Sequence, residues 1–67
     1  MDTLLTYDDL ACYSDAALYD LHDAVFFDLV RSAPGSVARS IASANLDLIK
    51  GVLFQRARAH LPAQPAE

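Results

Sequence analysis

The apolar positions of this 67-residue chain recur at helical spacing in two long segments. From Asp15 to Ser32, one side of a helix at about 100° per residue collects apolar residues, while Asp20, Asp23 and Asp28 lie off that side. The residues sharing this side are Leu18, Leu21, His22, Val25, Phe26 and Leu29. The pattern predicts an amphipathic helix that buries this side.

A second helix is predicted from Val37 to about His60. Its inner stripe comprises Ala38, Ile41, Ala42, Asn45, Leu48, Ile49, Val52, Leu53 and, at its end, Arg56. Between the two helices, Ala33-Pro34-Gly35 is a stop signal, because proline cannot continue the hydrogen-bond ladder and glycine accepts a left-handed turn.

A short first helix, about residues 7–12, is predicted from Thr6-Tyr7-Asp8-Asp9, which matches a capping box. Ser14 and Ser36 are N-cap candidates for the two long helices. In the first helix we expect Leu10, Ala11 and Tyr13 to point inward, and Cys12 to be a buried, inert thiol.

The predicted fold class is all-α: a short N-terminal helix followed by an antiparallel helical hairpin. We expect one domain over residues 1–61 and a flexible tail over 62–67, where two prolines leave little to bury. The predicted seam comprises Leu18, Leu21, Val25, Phe26, Leu29, Ile41, Leu48, Ile49, Val52 and Leu53.

A chain this short supports only a thin core, and small domains commonly gain stability from disulfides, metals or a partner subunit. Cys12 is its single cysteine, which excludes an intrachain disulfide. Apolar residues make up 54% of the chain, more than a two-helix hairpin can cover. We therefore predict a homodimer, assembled as a helical bundle.

Two phenylalanines lie outside the predicted seam. Phe27 falls among Asp20, Asp23 and Arg31, and Phe54 lies near Asp47 and Lys50. Either the first helix covers one of them, or they belong to a surface that another chain buries. The candidate partner-binding residues are Asp20, Asp23, Phe27, Asp28, Leu46 and Phe54.

Three further residues leave alternatives open. Gly51, in the middle of a helix, is either a tolerated glycine or, with Ser40 and Ala44, a place where another helix crosses closely, which would be the first helix or a helix of a partner. Asn45 is either a hydrogen-bonded core amide or a residue that fixes register in an assembly. His22 is interpreted as structural, since no suitably spaced companions point to a metal and no nucleophile points to catalysis.

Charge is divided unevenly along the chain. Residues 1–30 carry seven aspartates and no Lys or Arg, whereas the remainder carries a net +3, which gives −4 overall. This asymmetry bears on partners rather than on fold. One alternative is therefore an acidic mimic of nucleic acid, of the kind made by phages and mobile elements, which would inhibit a DNA- or RNA-handling complex by binding its basic surface through Asp20, Asp23 and Asp28, with Asp8, Asp9 and Asp15 nearby.

A further alternative is weak DNA binding through Lys50, Arg56, Arg58 and His60, which the net negative charge disfavours. No catalytic motif, phosphate loop or metal cluster is present in the sequence, so we expect no enzymatic activity and no cofactor. No positive n-region or long apolar run predicts a signal or a membrane span. The sequence favours a small cytoplasmic bacterial protein whose function is protein–protein interaction, with self-association as its simplest form.

Overall fold

A computed structural model describes residues 3–59, which form three α-helices. Helix α1 is Tyr7–Ala11, α2 is Asp15–Arg31 and α3 is Val37–Ala59. Within this described range no residue lies in a β-strand. The predicted tail (62–67) and His60 fall outside the described residues. The all-α class and the three helices are thus confirmed, with α1 one residue shorter than expected.

Side chains start each helix as the sequence predicts. Thr6 Oγ1 accepts from Asp9 N at 3.2 Å, and Asp9 Oδ2 accepts from Thr6 N at 2.9 Å, which completes the capping box of α1. Ser14 Oγ accepts from Ala17 N at the start of α2. These bonds satisfy backbone N–H groups that have no partner inside the first turn of a helix.

A four-residue turn lies between α2 and α3. Ser36 N donates to Ala33 O at 3.1 Å, and Gly35 has a φ of +77°. Proline at the second position and a positive φ at the third are the pattern of a type II turn. Ser36 Oγ then accepts from Arg39 N and caps α3. The predicted stop at Pro34-Gly35 is confirmed.

Contacts at both ends of the long helices show how α2 and α3 pack. At one end, Asp15 at the start of α2 bonds to Arg56 near the end of α3. At the other end, Arg39 Nη1 donates to the carbonyl oxygens of Leu29 and Ser32. The core lies between these two sets of contacts, and α1 adds one buried side chain to it. The buried apolar residues are Leu10, Leu18, Val25, Ala42, Leu46, Ile49 and Val52.

The predicted seam is correct except at Phe26. Leu18, Val25, Ile49 and Val52 are buried, and Leu21, Leu29, Leu48 and Leu53 are partly buried against the core. Ile41 is partly buried. Phe26 is wrong, because 47% of its surface is exposed. It follows Val25, which occupies the contact with α3, and so lies about 100° further around the helix.

Other expected inward positions are also exposed. Ala38 is exposed in the first turn of α3, and Ala11 is exposed in α1. Tyr13 and Cys12 are exposed as well, so the prediction of a buried thiol is wrong. The physical reason is the shortness of α1: a helix of five residues offers a single inward position, and Leu10 occupies it.

Over residues 3–59, no helix is both long enough and apolar enough to cross a bilayer.

The core makes a direct prediction about stability. Ile49→Ala, at a fully buried position, should lower the free energy of unfolding by about 2–5 kcal/mol, since it removes buried methyl groups and leaves a cavity. Leu48→Ala, at the partly buried neighbouring position, should cost clearly less. Urea denaturation followed by circular dichroism measures both. Equal losses for the two variants would contradict the placement of Ile49 at the centre of the seam.

Candidate interaction surface

The N-terminal segment is fixed to α3 by a buried amide. Asn45 is 1% exposed. Its Oδ1 accepts from Leu5 N at 2.8 Å, and its Nδ2 donates to Thr3 O at 3.0 Å. Asn45 is therefore the satisfied core amide that one of the two interpretations expected, and its partners belong to the same chain. The amide ties the backbone of Thr3 and Leu5 to the surface of α3.

A second attachment, formed by Arg56, was not anticipated. Its guanidinium donates to the carbonyl oxygens of Tyr13 (2.6 Å), Leu10 (3.3 Å) and Ala11 (3.4 Å) and pairs with Asp15 Oδ1 at 2.9 Å. Leu10 and Ala11 lie in the last turn of α1, and Tyr13 follows that helix. The Leu10 carbonyl also accepts from Tyr13 N at 3.0 Å. Arg56 thus closes α1, fixes the start of α2 and places both against α3.

Tyr7 adds a third contact on the same side, because its hydroxyl bonds to Gln55 Oε1. The N-terminal segment consequently uses the side of α3 that carries Asn45, Gln55 and Arg56. The other side chains on the solvent-facing side of α3 are exposed.

Helix α2 carries a second apolar stripe that nothing in the described chain covers. Tyr19, Phe26 and Val30 are 61%, 47% and 60% exposed. With Asp23 they form the spacing 19, 23, 26 and 30, the alternating steps of four and three that bring side chains onto one seam of a coiled coil. Ala16, also exposed, extends the spacing toward the start of α2. We call Tyr19, Asp23, Phe26 and Val30 the outer stripe.

Beside α2, the flank of α3 forms an open groove of about 560 Å³. Its floor is made of small side chains, and its rim carries charge; the lining residues are Leu29, Gly35, Arg39, Ser40, Ser43, Ala44 and Asp47. Further along the same helix, a Cβ added to Gly51 would meet no described atom within 4 Å. The idea that α1 crosses closely at Gly51 is therefore wrong, while a crossing by a partner stays a prediction.

The predicted partner-binding residues fall into two groups. Asp20, Asp23, Phe27 and Phe54 are exposed, with Phe27 and Phe54 each at 63%. Arg58 lies over the Phe54 ring at 5.8 Å from its centroid. Leu46 is 5% exposed and belongs to the core, so it is not part of any open surface and its assignment is corrected. Asp28 is partly buried.

The possibility that the first helix covers one of the two phenylalanines is thereby excluded. Phe27 and Phe54 point away from the N-terminal segment, and both are more exposed than Phe26.

The structure reduces the acidic surface that a nucleic-acid mimic would use. Asp9 is engaged in the capping box, and Asp15 is paired with Arg56. Asp28 also has a partner within the chain. Asp8, Asp20 and Asp23 remain exposed, and His22 Nδ1 lies 3.5 Å from Asp23 Oδ1.

The cationic side chains at the end of α3 also contact other residues of the same chain. Arg56 is directed into the junction of α1 and α2, and Arg58 stacks on Phe54. Neither arrangement presents a row of cations to a phosphate backbone. Within residues 3–59, His, Cys, Asp and Glu form no group of three or more that could hold a metal ion.

Comparisons with known proteins give no relative on which to base an assignment. No family model, curated protein or solved structure matches the chain.

The outer stripe could have been found from the sequence. Tyr19 and Phe26 follow the buried Leu18 and Val25, and Val30 follows the partly buried Leu29. The steps of seven and four between the three exposed residues give the signal. Because a single apolar face was assumed for α2, Phe26 was assigned to the core, and Tyr19 and Val30 were assigned to no surface. The contacts of Arg56 leave no such signal, because they depend on where the end of α1 lies in space.

Arg56 provides the test of how the N-terminal segment is held. Arg56→Lys should lower the free energy of unfolding by about 1–3 kcal/mol, because a lysine cannot reproduce the forked contacts with several carbonyls and a carboxylate. Thermal and urea unfolding measure the loss, and Lys50→Arg, at an exposed position of the same helix, is the matched control. A loss no larger than that of the control would contradict the role given to Arg56.

Proposed function

We propose that this chain is a protein-interaction module that self-associates, and that the outer stripe of α2 is its binding surface. In this proposal the chain is an antiparallel helical hairpin, braced by α1, that pairs with a second copy to form a dimeric helical bundle. The observation that carries the proposal is the exposure of Tyr19, Phe26 and Val30 in coiled-coil spacing on one helix.

The size of the apolar surface supports an interface. An aromatic side chain has about 150–250 Å² to bury, so the exposed parts of Tyr19, Phe26 and Phe27, with Val30, amount to about 400 Å². The largest apolar patch of an ordinary monomer covers about 300–600 Å² and is frequently functional. The apolar residues of the outer stripe together with the neighbouring Phe27 reach this size.

The same estimate of apolar area sets the expected affinity of the dimer. Two copies of the stripe and the polar residues around it come to the lower end of specific interfaces, about 1,200 Å² in total. We therefore expect a dissociation constant in the micromolar range rather than an obligate dimer. Asp23 inside the outer stripe also weakens the expected dimer, because burying a carboxylate opposes association.

The other two functional classes receive less support. A mimic of nucleic acid needs an extended row of available carboxylates, yet three of the six proposed are held within the chain. Direct DNA binding needs cations aimed outward, yet Arg56 is committed to the α1–α2 junction.

Removing one aromatic side chain tests the proposal. Phe26→Ala should weaken self-association by about tenfold or more, because a central aromatic anchor is lost, while the fold is retained, since Phe26 lies outside the core. Sedimentation equilibrium from about 1 to 200 µM measures the dissociation constant across the expected micromolar range.

Leu4→Ala is the matched control, because Leu4 is 60% exposed but lies in the N-terminal segment. It should leave the dissociation constant unchanged. A single-chain mass for the unaltered protein across that concentration range, or equal weakening by Leu4→Ala and Phe26→Ala, would refute the proposed surface.

A further inference from the structure

The outer stripe of α2 can meet the outer stripe of a second copy in either of two directions. Its residues alternate in steps of four and three, which is the spacing of two helices that pack along one seam. In a parallel pair, each stripe residue faces the same residue of the second copy. In an antiparallel pair, residues at equal distance from the middle of the stripe face each other, so that Tyr19 meets Val30 and Asp23 meets Phe26.

The charges of α2 disfavour the parallel direction. The acidic residues of this helix are Asp15, Asp20, Asp23 and Asp28, and its basic residue is Arg31, in the last turn. A parallel pair places Asp23 directly against Asp23 of the second copy, inside the seam. Each Arg31 then lies about 16 Å along the axis from Asp20 of the other copy, at 1.5 Å per residue, which is too far for an ion pair.

The antiparallel direction brings opposite charges together. Asp20 and Arg31 are both exposed, and on a wheel of 100° per residue they lie about 20° apart, on the flank of the outer stripe that faces away from α3. When the two helices run in opposite directions, Asp20 comes within about 3 Å along the axis of Arg31 of the second copy. The symmetry makes this contact twice. Asp23 is meanwhile offset by about 4.5 Å from Asp23 of the second copy.

We propose, on the basis of the self-association proposed above, that two copies pair antiparallel along α2, about a two-fold axis perpendicular to the helices and level with Ala24 and Val25. Tyr19 packs against Val30 of the second copy at each end of the seam. The two Phe26 rings lie close to the axis, one on either side of it. Exposed ion pairs are individually weak, but here they decide between two directions that bury the same apolar side chains.

Single-cysteine variants test the direction. Cys12→Ser removes the native thiol, and in that background Tyr19→Cys and Val30→Cys each place one thiol in the seam. A disulfide needs Cα atoms within about 7 Å of each other. In the antiparallel pair, a position in the seam at 19 or 30 lies about 16 Å along the axis from the same position of the second copy, so neither variant should cross-link with itself. An equimolar mixture of the two variants should form the mixed disulfide, because these positions face each other.

The cross-linking is carried out in a glutathione redox buffer at about 1 mM protein, above the expected dissociation constant. Intact mass spectrometry gives the fraction of each cross-linked species, and circular dichroism establishes that each variant is folded. Ala24→Cys in the same background is the matched control, because Ala24 is exposed on α2 away from the outer stripe. Its cross-links with either of the other variants measure random collision.

A charge exchange tests the same direction without altering the seam. Arg31→Glu should weaken the dimer by about threefold or more, because both flanking ion pairs become like-charge contacts. Adding Asp20→Lys restores opposite charges and should recover most of the lost affinity. Sedimentation equilibrium gives the dissociation constants. Arg58→Glu, which makes the same change of net charge on α3, is the control and should weaken the dimer clearly less. Failure of Asp20→Lys to restore binding would count against the antiparallel direction.

The outcomes separate the two proposals. A protein that stays monomeric refutes self-association, and the antiparallel pair with it. A dimer in which Tyr19→Cys and Val30→Cys each cross-link with themselves, and not with each other, refutes the antiparallel direction and leaves the outer stripe standing as the binding surface. A dimer in which no pair cross-links beyond the Ala24→Cys control refutes the outer stripe as well. An excess of the mixed disulfide supports both proposals.

Discussion

The attachment of the N-terminal segment to α3 determines what the rest of this molecule presents to solvent. Asn45 and Arg56 are polar residues on an otherwise apolar side of α3, and both reach backbone groups of residues 3–13. An amide or guanidinium removed from water needs hydrogen-bond partners, because without them its lost hydration is not replaced and the fold is destabilised. The segment supplies those partners, and it therefore covers this side of the helix pair and no other.

Helix α2 shows the consequence most clearly. Leu18 and Tyr19, Val25 and Phe26, and Leu29 and Val30 are neighbours in sequence, and in each pair the first member faces α3 while the second is more exposed. A helix with apolar residues over so wide an arc needs two packing partners. Within residues 3–59 the chain provides one, namely α3. We propose that a second copy of the chain supplies the other packing partner.

Much of the fold could be predicted from the sequence, because its determinants are local. Thr6, Ser14 and Ser36 cap the helices they were expected to cap, and Pro34-Gly35 ends the first long helix. Helical periodicity also located the centre of the core, at Val25 and Ile49.

The errors arise where burial depends on distant segments. Phe26 was assigned to the core because the hydrophobic pattern of α2 does not reveal how narrow its contact with α3 is. Cys12 was assigned to the core because the neighbouring residues are apolar, although α1 is too short to bury it. Leu46 was assigned to a surface, yet α2 and α3 close over it. Arg56 was placed at the end of the inner stripe and among the cations of the DNA-binding alternative, whereas it bonds to the end of α1.

The central claim is that one face of the helix pair is left open by the N-terminal segment and is buried by a second copy. Backbone amide chemical shifts, followed by NMR during dilution from millimolar to low-micromolar concentration, test it residue by residue. We expect concentration-dependent shifts at Tyr19, Phe26 and Val30, with Tyr7, Asn45 and Arg56 little changed. Shifts that do not depend on concentration, or that cluster at the N-terminal segment, would contradict the account.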